Sequence, residues 1–200
     1  MDVANSIALV TGANGGLGQY YIEALRSRGV NKIYAGARNP KALESLVTNH
    51  PDIVIPIALD ITDEESVNQA AAQCPDVTLL INNAGVGFNQ GLLAAPDLSS
   101  ARMEMDVNYF GTLMMCRAFS PVLKHNGGGA IINMVSMLAQ VNLPFNGSYC
   151  ASKAATLSLT QGVRAELAAQ GTLVIAVLPG TIDIGMGKFS PAPKVSPEEV

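Results

Sequence analysis

The chain has 200 residues, 48% of them hydrophobic and 14% charged, with a formal net charge of −4. That length and composition describe a single domain, 1–200, large enough to bury a sizeable core, and they exclude a disordered chain. Scattered basic residues leave no footprint for nucleic acid, two histidines offer little for a metal, and no apolar run is long enough to span a membrane.

Apolar runs of strand length alternate with helical stretches along the whole chain. The first strand is expected near 5–11, where Ile7-Ala8-Leu9-Val10 is apolar on both faces. It runs through the turn Thr11-Gly12-Ala13-Asn14-Gly15-Gly16-Leu17-Gly18 into a helix near 16–28. A second strand near 31–37 ends in Ala37-Arg38, and Pro40 suits the first turn of a helix near 40–48. The third strand, near 53–59, ends at Asp60-Ile61, and Asp63-Glu64-Glu65 supplies the negative charge favoured at the start of a helix near 63–73. A fourth strand near 77–82 precedes Asn82-Asn83-Ala84-Gly85 and a long helix near 98–124, which contains Asn108. Gly127-Gly128-Gly129 ends that helix before a strand near 130–136. The last helix, near 148–169, leads to a strand near 173–178 and then Pro179-Gly180. Runs apolar on both faces belong to parallel strands covered by helices on each side. The pattern predicts an α/β, Rossmann-like doubly wound parallel sheet of order 3-2-1-4-5-6, with its ligand at the carboxyl edge where the order reverses.

Chemistry concentrates late in the chain. Tyr149 and Lys153, four residues apart on a helix, project from one face. An ammonium beside a phenol favours the phenolate, so the pair reads as a proton-transfer site for a carbonyl or alcohol. Ser136, at the end of the strand Ala130-Ile131-Ile132-Asn133-Met134-Val135, can present a hydroxyl to the same substrate oxygen. A lone Tyr-x-x-x-Lys proves little, and its weight comes from order and company.

Taken together, Thr11-Gly12-x-x-x-Gly16-x-Gly18, Asn82-Asn83-Ala84-Gly85, Asn108, Ser136, Tyr149, Lys153 and Pro179-Gly180 resemble the short-chain dehydrogenase/reductase family over residues 5 to 190. The resemblance implies a catalytic tetrad of Asn108, Ser136, Tyr149 and Lys153. In it Tyr149 exchanges the proton, Lys153 lowers the Tyr149 pKa and holds the nicotinamide ribose, and Asn108 helps hold a water relay. It also implies a nicotinamide cofactor on Gly12, Asn14, Gly16, Leu17 and Gly18, with Asp60, Ile61, Asn83, Ala84 and Gly85 toward the adenosine side. Pro179, Gly180 and Ile182 match the segment flanking the nicotinamide. Ile184 stands where the family often has a threonine. Asp60 reads equally as a strand-end cap, and Asn82 equally as a tie between neighbouring strands.

An acid at the end of the second strand would bind a ribose diol and repel a 2′-phosphate. This chain has Ala37 and then Arg38, whose guanidinium suits a phosphate, so NADP(H) is favoured over NAD(H). Met137, Leu138, Val141, Leu143, Phe145, Met186 and Phe189 lie in segments that border the family's substrate cleft, with Phe88 and Gln90 at its mouth. The reaction implied is hydride transfer between the cofactor and an apolar or aromatic ketone or aldehyde. The alternatives are an epimerase or lyase on the same fold, or a non-catalytic NADP sensor. Cys74, Cys116 and Cys150 suit a reducing cytoplasm, and cytoplasmic location is expected. The resemblance further implies a homodimer through the helices near 98–124 and 148–169, with Met103, Val107, Met114, Ala154, Leu157 and Gln161 as contact faces. Ser196-Pro197-Glu198-Glu199 reads as a helix start. The expectation is a chain shortened at its C-terminal end and lacking the family's seventh strand.

Overall fold

The computed structural model describes residues 2–185 and 193–200. Six parallel strands form its main sheet: β1 Ile7–Thr11, β2 Lys32–Ala37, β3 Val54–Ala58, β4 Leu79–Asn82, β5 Gly129–Met134 and β6 Thr172–Val177. Their order is β3-β2-β1-β4-β5-β6, as the sequence pattern predicts. Strand β1 is central, with Leu9 level with Tyr34 on one side and with Leu80 on the other. The helices are α1 Gly16–Ser27, α2 Glu44–Asn49, α3 Glu64–Gln73, α4 Ser99–Met105, α5 Thr112–His125 and α6 Gly147–Leu167.

Alternate residues of the strands feed two cores, one on each face of the sheet. Ala8, Val10, Ile33 and Ile81 meet Ile22 and Leu25 of α1 and Leu46 of α2. Leu9, Leu80 and Ile131 meet Val67 of α3, Met115 and Phe119 of α5 and Leu159 of α6. Each fully buried aliphatic or aromatic side chain contributes about 1.5–3 kcal/mol, so both faces are needed to hold a sheet this apolar. Local chemistry sets the helix starts. Asp63 accepts from Glu65 N at 3.0 Å and caps α3, and Asn39 accepts from Lys41 N at 3.1 Å to open a 3₁₀ turn, Pro40–Leu43.

Three expectations need amendment. The helix expected near 98–124 is not continuous, because a π-helical turn, Asp106–Gly111, separates α4 from α5. The Asn108 carbonyl explains the turn: it accepts from Thr112 Oγ1 at 2.8 Å and from Thr156 Oγ1 of α6 at 2.9 Å. Ser196 opens a single 3₁₀ turn, Pro197–Glu199, with a capping box. A small parallel pair, β7 Thr181–Ile182 and β8 Lys194–Val195, was not expected, and Lys194 Nζ and Asp183 pair beside it at 2.8 Å. In the main sheet as described, β6 forms one edge, with Leu173 and Ile175 exposed. Among the described residues no helix is long and apolar enough to cross a membrane.

Candidate active site

At the carboxyl edge of β1 and β4, where the strand order reverses, a cleft of about 700 Å³ opens. Its floor begins with the turn after β1. Gly12 has φ +63°, in the left-handed region that glycine enters without strain, and a Cβ there would stand 3.0 Å from Ala84 Cα. A Cβ at Gly18 would lie 2.4 Å from Gly12 O, so a bare α-carbon lets α1 close onto the turn. Helix α1 starts after Gly15 with no side-chain cap, which leaves its first N–H groups directed into the cleft end.

Side chains fix this crevice from beneath. Thr11 Oγ1 accepts from both Asn83 N and Ala84 N at 3.0 Å. Asn83 Nδ2 donates to Thr11 O at 3.0 Å and Gly12 O at 3.3 Å, so its amide positions the glycine turn. Asn82 Nδ2 donates to Asn133 Oδ1 at 2.8 Å, and Asn133 Nδ2 to Thr160 Oγ1 at 3.0 Å. Asn82 is therefore a tie between β4 and β5, extended to α6.

Gly12, Asn14, Gly16, Leu17 and Gly18 line the cleft, as do Arg38, Asp60 and Ile61 at the ends of β2 and β3. Asp60 accepts from Thr62 N at 2.9 Å and Thr62 Oγ1 at 2.7 Å. These Thr62 bonds, with a contribution from the nearby Arg38 charge, hold its carboxyl below the ordinary value. Asn83, Ala84 and Gly85 form the middle of the wall, and Pro179, Gly180 and Ile182 the opposite side. Ile184 Cδ1 stands 3.2 Å from where a Gly16 Cβ would be, so this side chain lies over the glycine turn.

Ser136, Tyr149 and Lys153 meet at the other end of the cleft. Ser136 Oγ accepts from Leu138 N at 3.1 Å, and its hydroxyl faces Tyr149, where it favours the phenolate. Lys153 Nζ lies 5.8 Å from the Tyr149 ring centroid and donates to Met134 O at 2.9 Å. A Cβ at Gly85 would stand 3.4 Å from Nζ and 3.1 Å from Asn108 Oδ1, so glycine is needed there. The expectation of a phenolate does not hold for the protein alone. Burial pushes Tyr149 up to about 12, against the lowering effect of Ser136 and with added repulsion from Cys150 and Glu104. Burial also pushes Lys153 down to about 8. Both shifts come from the same loss of water, which disfavours each charged form.

Asn108 is the one tetrad residue that does not line the cleft. It is buried behind the wall, where Oδ1 accepts from Val86 N at 2.9 Å and Nδ2 donates to Val86 O and Ser152 Oγ, both at 2.9 Å. Met103 and Val107, expected at a dimer contact, also line the cleft. Leu138 also lines it, while Met137, Val141, Phe145 and Phe88 are exposed near its mouth. Met186 and Phe189 lie outside the described residues. The sequence reading missed Asn146, Val86 and Asn89 of the cleft wall and the buried Glu104 on α4. Glu104 could have been noticed as an acid on the apolar face of a helix; the others carry no sequence signal.

A family model described as short chain dehydrogenase matches residues 6–194. A short chain dehydrogenase from Burkholderia cenocepacia, solved in complex with NADP, is 51% identical with a TM-score of 0.94, over 100% of this chain and 82% of that one. A short chain dehydrogenase of Monascus purpureus is 35% identical over 194 residues, 91% of this chain and 66% of the relative. The 2-(R)-hydroxypropyl-CoM dehydrogenase of Xanthobacter autotrophicus is 33% identical over 193 residues, 92% of this chain and 77% of the relative. The chain thus spans slightly under two thirds of the length of the Monascus relative.

Proposed function

The chain belongs to the short-chain dehydrogenase family, and from that premise we propose that it is an NADP(H)-dependent oxidoreductase that interconverts a ketone or aldehyde and its alcohol. The observation that carries this reading is the meeting of Ser136, Tyr149 and Lys153 at one end of a cleft whose other end is the Gly12–Gly18 cradle. The cradle fits a dinucleotide: the uncapped α1 start and the Gly12 turn offer N–H donors for a pyrophosphate, with Ile184 packed against Gly16 beside them. Arg38, after the buried Ala37, supplies a cation for a 2′-phosphate, and the NADP complex of the Burkholderia relative is in keeping with that preference.

When bound, the cofactor supplies or accepts a hydride at nicotinamide C4. Tyr149 donates its phenolic proton to the carbonyl oxygen during reduction and takes it back during oxidation. A phenol held near 12 by burial is protonated at neutral pH, the state that reduction needs. Ser136 hydrogen-bonds the same oxygen and orients it. Lys153 provides the cation that favours loss of the Tyr149 proton, and its ammonium holds the ribose. Asn108 acts through position, fixing Val86 of the cleft wall and Ser152 of α6. Leu138, Met103 and Val107 in the wall favour an apolar or aromatic substrate.

The protein works in the cytoplasm on this reading, in keeping with three buried free cysteines. It forms a homodimer through α5 and α6, where Met114, Ala154, Leu157 and Gln161 offer partly or fully exposed faces. A panel of aromatic and aliphatic carbonyls with NADPH tests the function. Substrate-dependent loss of NADPH absorbance is expected. Binding without consumption across the panel would instead indicate a sensor, and conversion without net consumption an epimerase or lyase.

A further inference from the structure

Glu104 is a carboxylate on α4 with 1% of its surface exposed, and nothing in the mechanism above uses it. Its Oε1 accepts from Phe88 N at 2.9 Å, and its Oε2 is buried with no partner. The loop after β4, residues 83–90, has no ladder of its own, so side chains must hold its backbone. Two residues on one helix face do this. Asn108 takes both Val86 N and Val86 O, and Glu104, four positions earlier, takes Phe88 N. Four helical residues rise about 6 Å and two extended residues about 6.6 Å, so the spacings match and the loop lies along the helix. Val86, Gly87 and Asn89 of that loop line the cleft, and the exposed Phe88 stands at its mouth.

We propose that Glu104 is a specificity-determining positioning residue: its side chain pins the 86–90 wall of the substrate cleft to α4. A neutral acceptor would pin the loop equally well. The fixed loop keeps the carbonyl seated against Tyr149. That seating rests on the proposed role of Tyr149 as the proton donor, whereas the pinning of the loop does not.

Two variants test the contact. Glu104→Gln keeps an acceptor for Phe88 N. Its KM for the carbonyl should match the unmutated enzyme. Glu104→Ala removes the acceptor, so KM should rise about tenfold or more with a smaller change in kcat, the scale of a lost buried hydrogen bond. Amide hydrogen exchange across 86–90 should speed up in Glu104→Ala and not in Glu104→Gln. Should the alanine variant not fold, Glu104→Met fills the volume without accepting a hydrogen bond and carries the same expectation. Unchanged exchange and KM in the alanine or methionine variant would overturn the pinning. Exchange and KM in Glu104→Gln raised as far as in Glu104→Ala would overturn it as well. If the unmutated protein turns over no carbonyl, the functional reading fails, and the exchange measurement still decides the pinning.

Discussion

Replacing Lys153 by methionine should stabilise the cofactor-free protein at neutral pH while ending its turnover. The ammonium is buried and its pKa is depressed from 10.5 to about 8 by loss of water. A shift of that size corresponds to about 3.4 kcal/mol held against folding while the group is charged in both states. Methionine removes that penalty and nearly preserves volume, but it leaves the Met134 carbonyl without its 2.9 Å donor. An orphaned buried acceptor costs about 1–3 kcal/mol, so the net gain at pH 7 is about 0.4–2.4 kcal/mol. The pH dependence is the sharper observable. A depressed lysine pKa means the folded state sheds its proton first, so the unfolded state binds more protons between about 8 and 10.5, and stability rises with pH across that window. The unmutated protein should therefore recover about 2.5 kcal/mol relative to the methionine variant between pH 7 and 10. Urea unfolding of both proteins at several pH values measures this, because other alkaline effects, including ionisation of Tyr149, are largely shared. A stability difference flat in pH, or a less stable variant at pH 7, would refute the buried-ammonium argument.

Tyr149→Phe should abolish turnover while NADPH affinity, read by fluorescence titration, stays nearly intact, since only the proton donor is lost. Arg38→Ala should narrow the preference for NADPH over NADH by about 1–3 kcal/mol in kcat/KM, the scale of a charge-assisted hydrogen bond; equal kinetics with both cofactors in the unmutated enzyme would contradict the assignment. Gly18→Ala places a Cβ 2.4 Å from Gly12 O. It should lower both thermal stability and NADPH affinity, because α1 must retreat from the turn. Light scattering at low micromolar concentration should give the mass of a dimer; a stable tetramer or a lasting monomer would count against the α5 and α6 contact.

Much of the site was legible because its logic is local. A strand apolar on both faces, a glycine turn and a helix follow from residues 7–27 alone, since periodicity and φ preference act over a few neighbours. Tyr149 and Lys153 share a face by helical spacing. The alternation of six strands with helices gives a doubly wound parallel sheet, and the motif resemblance gives its order. Arg38 after Ala37 could likewise be read at a strand end.

The rest depended on partners far away in the chain. Helix 98–124 reads as continuous in the sequence, whereas the fold places a π-helical turn where the Asn108 carbonyl meets Thr156, 48 residues later. Met103 and Val107 look like helix-contact residues, and only the packing of α4 turns them into the cleft wall. Glu104 can be noticed as an acid on an apolar helix face, but only the folded loop brings it Phe88 N. The proton affinities of Tyr149 and Lys153 depend on burial for the same reason. Sequence shows that an ammonium neighbours a phenol, which predicts attraction. Tertiary structure removes the water from both, and desolvation of each charged form raises Tyr149 and lowers Lys153 in the protein alone.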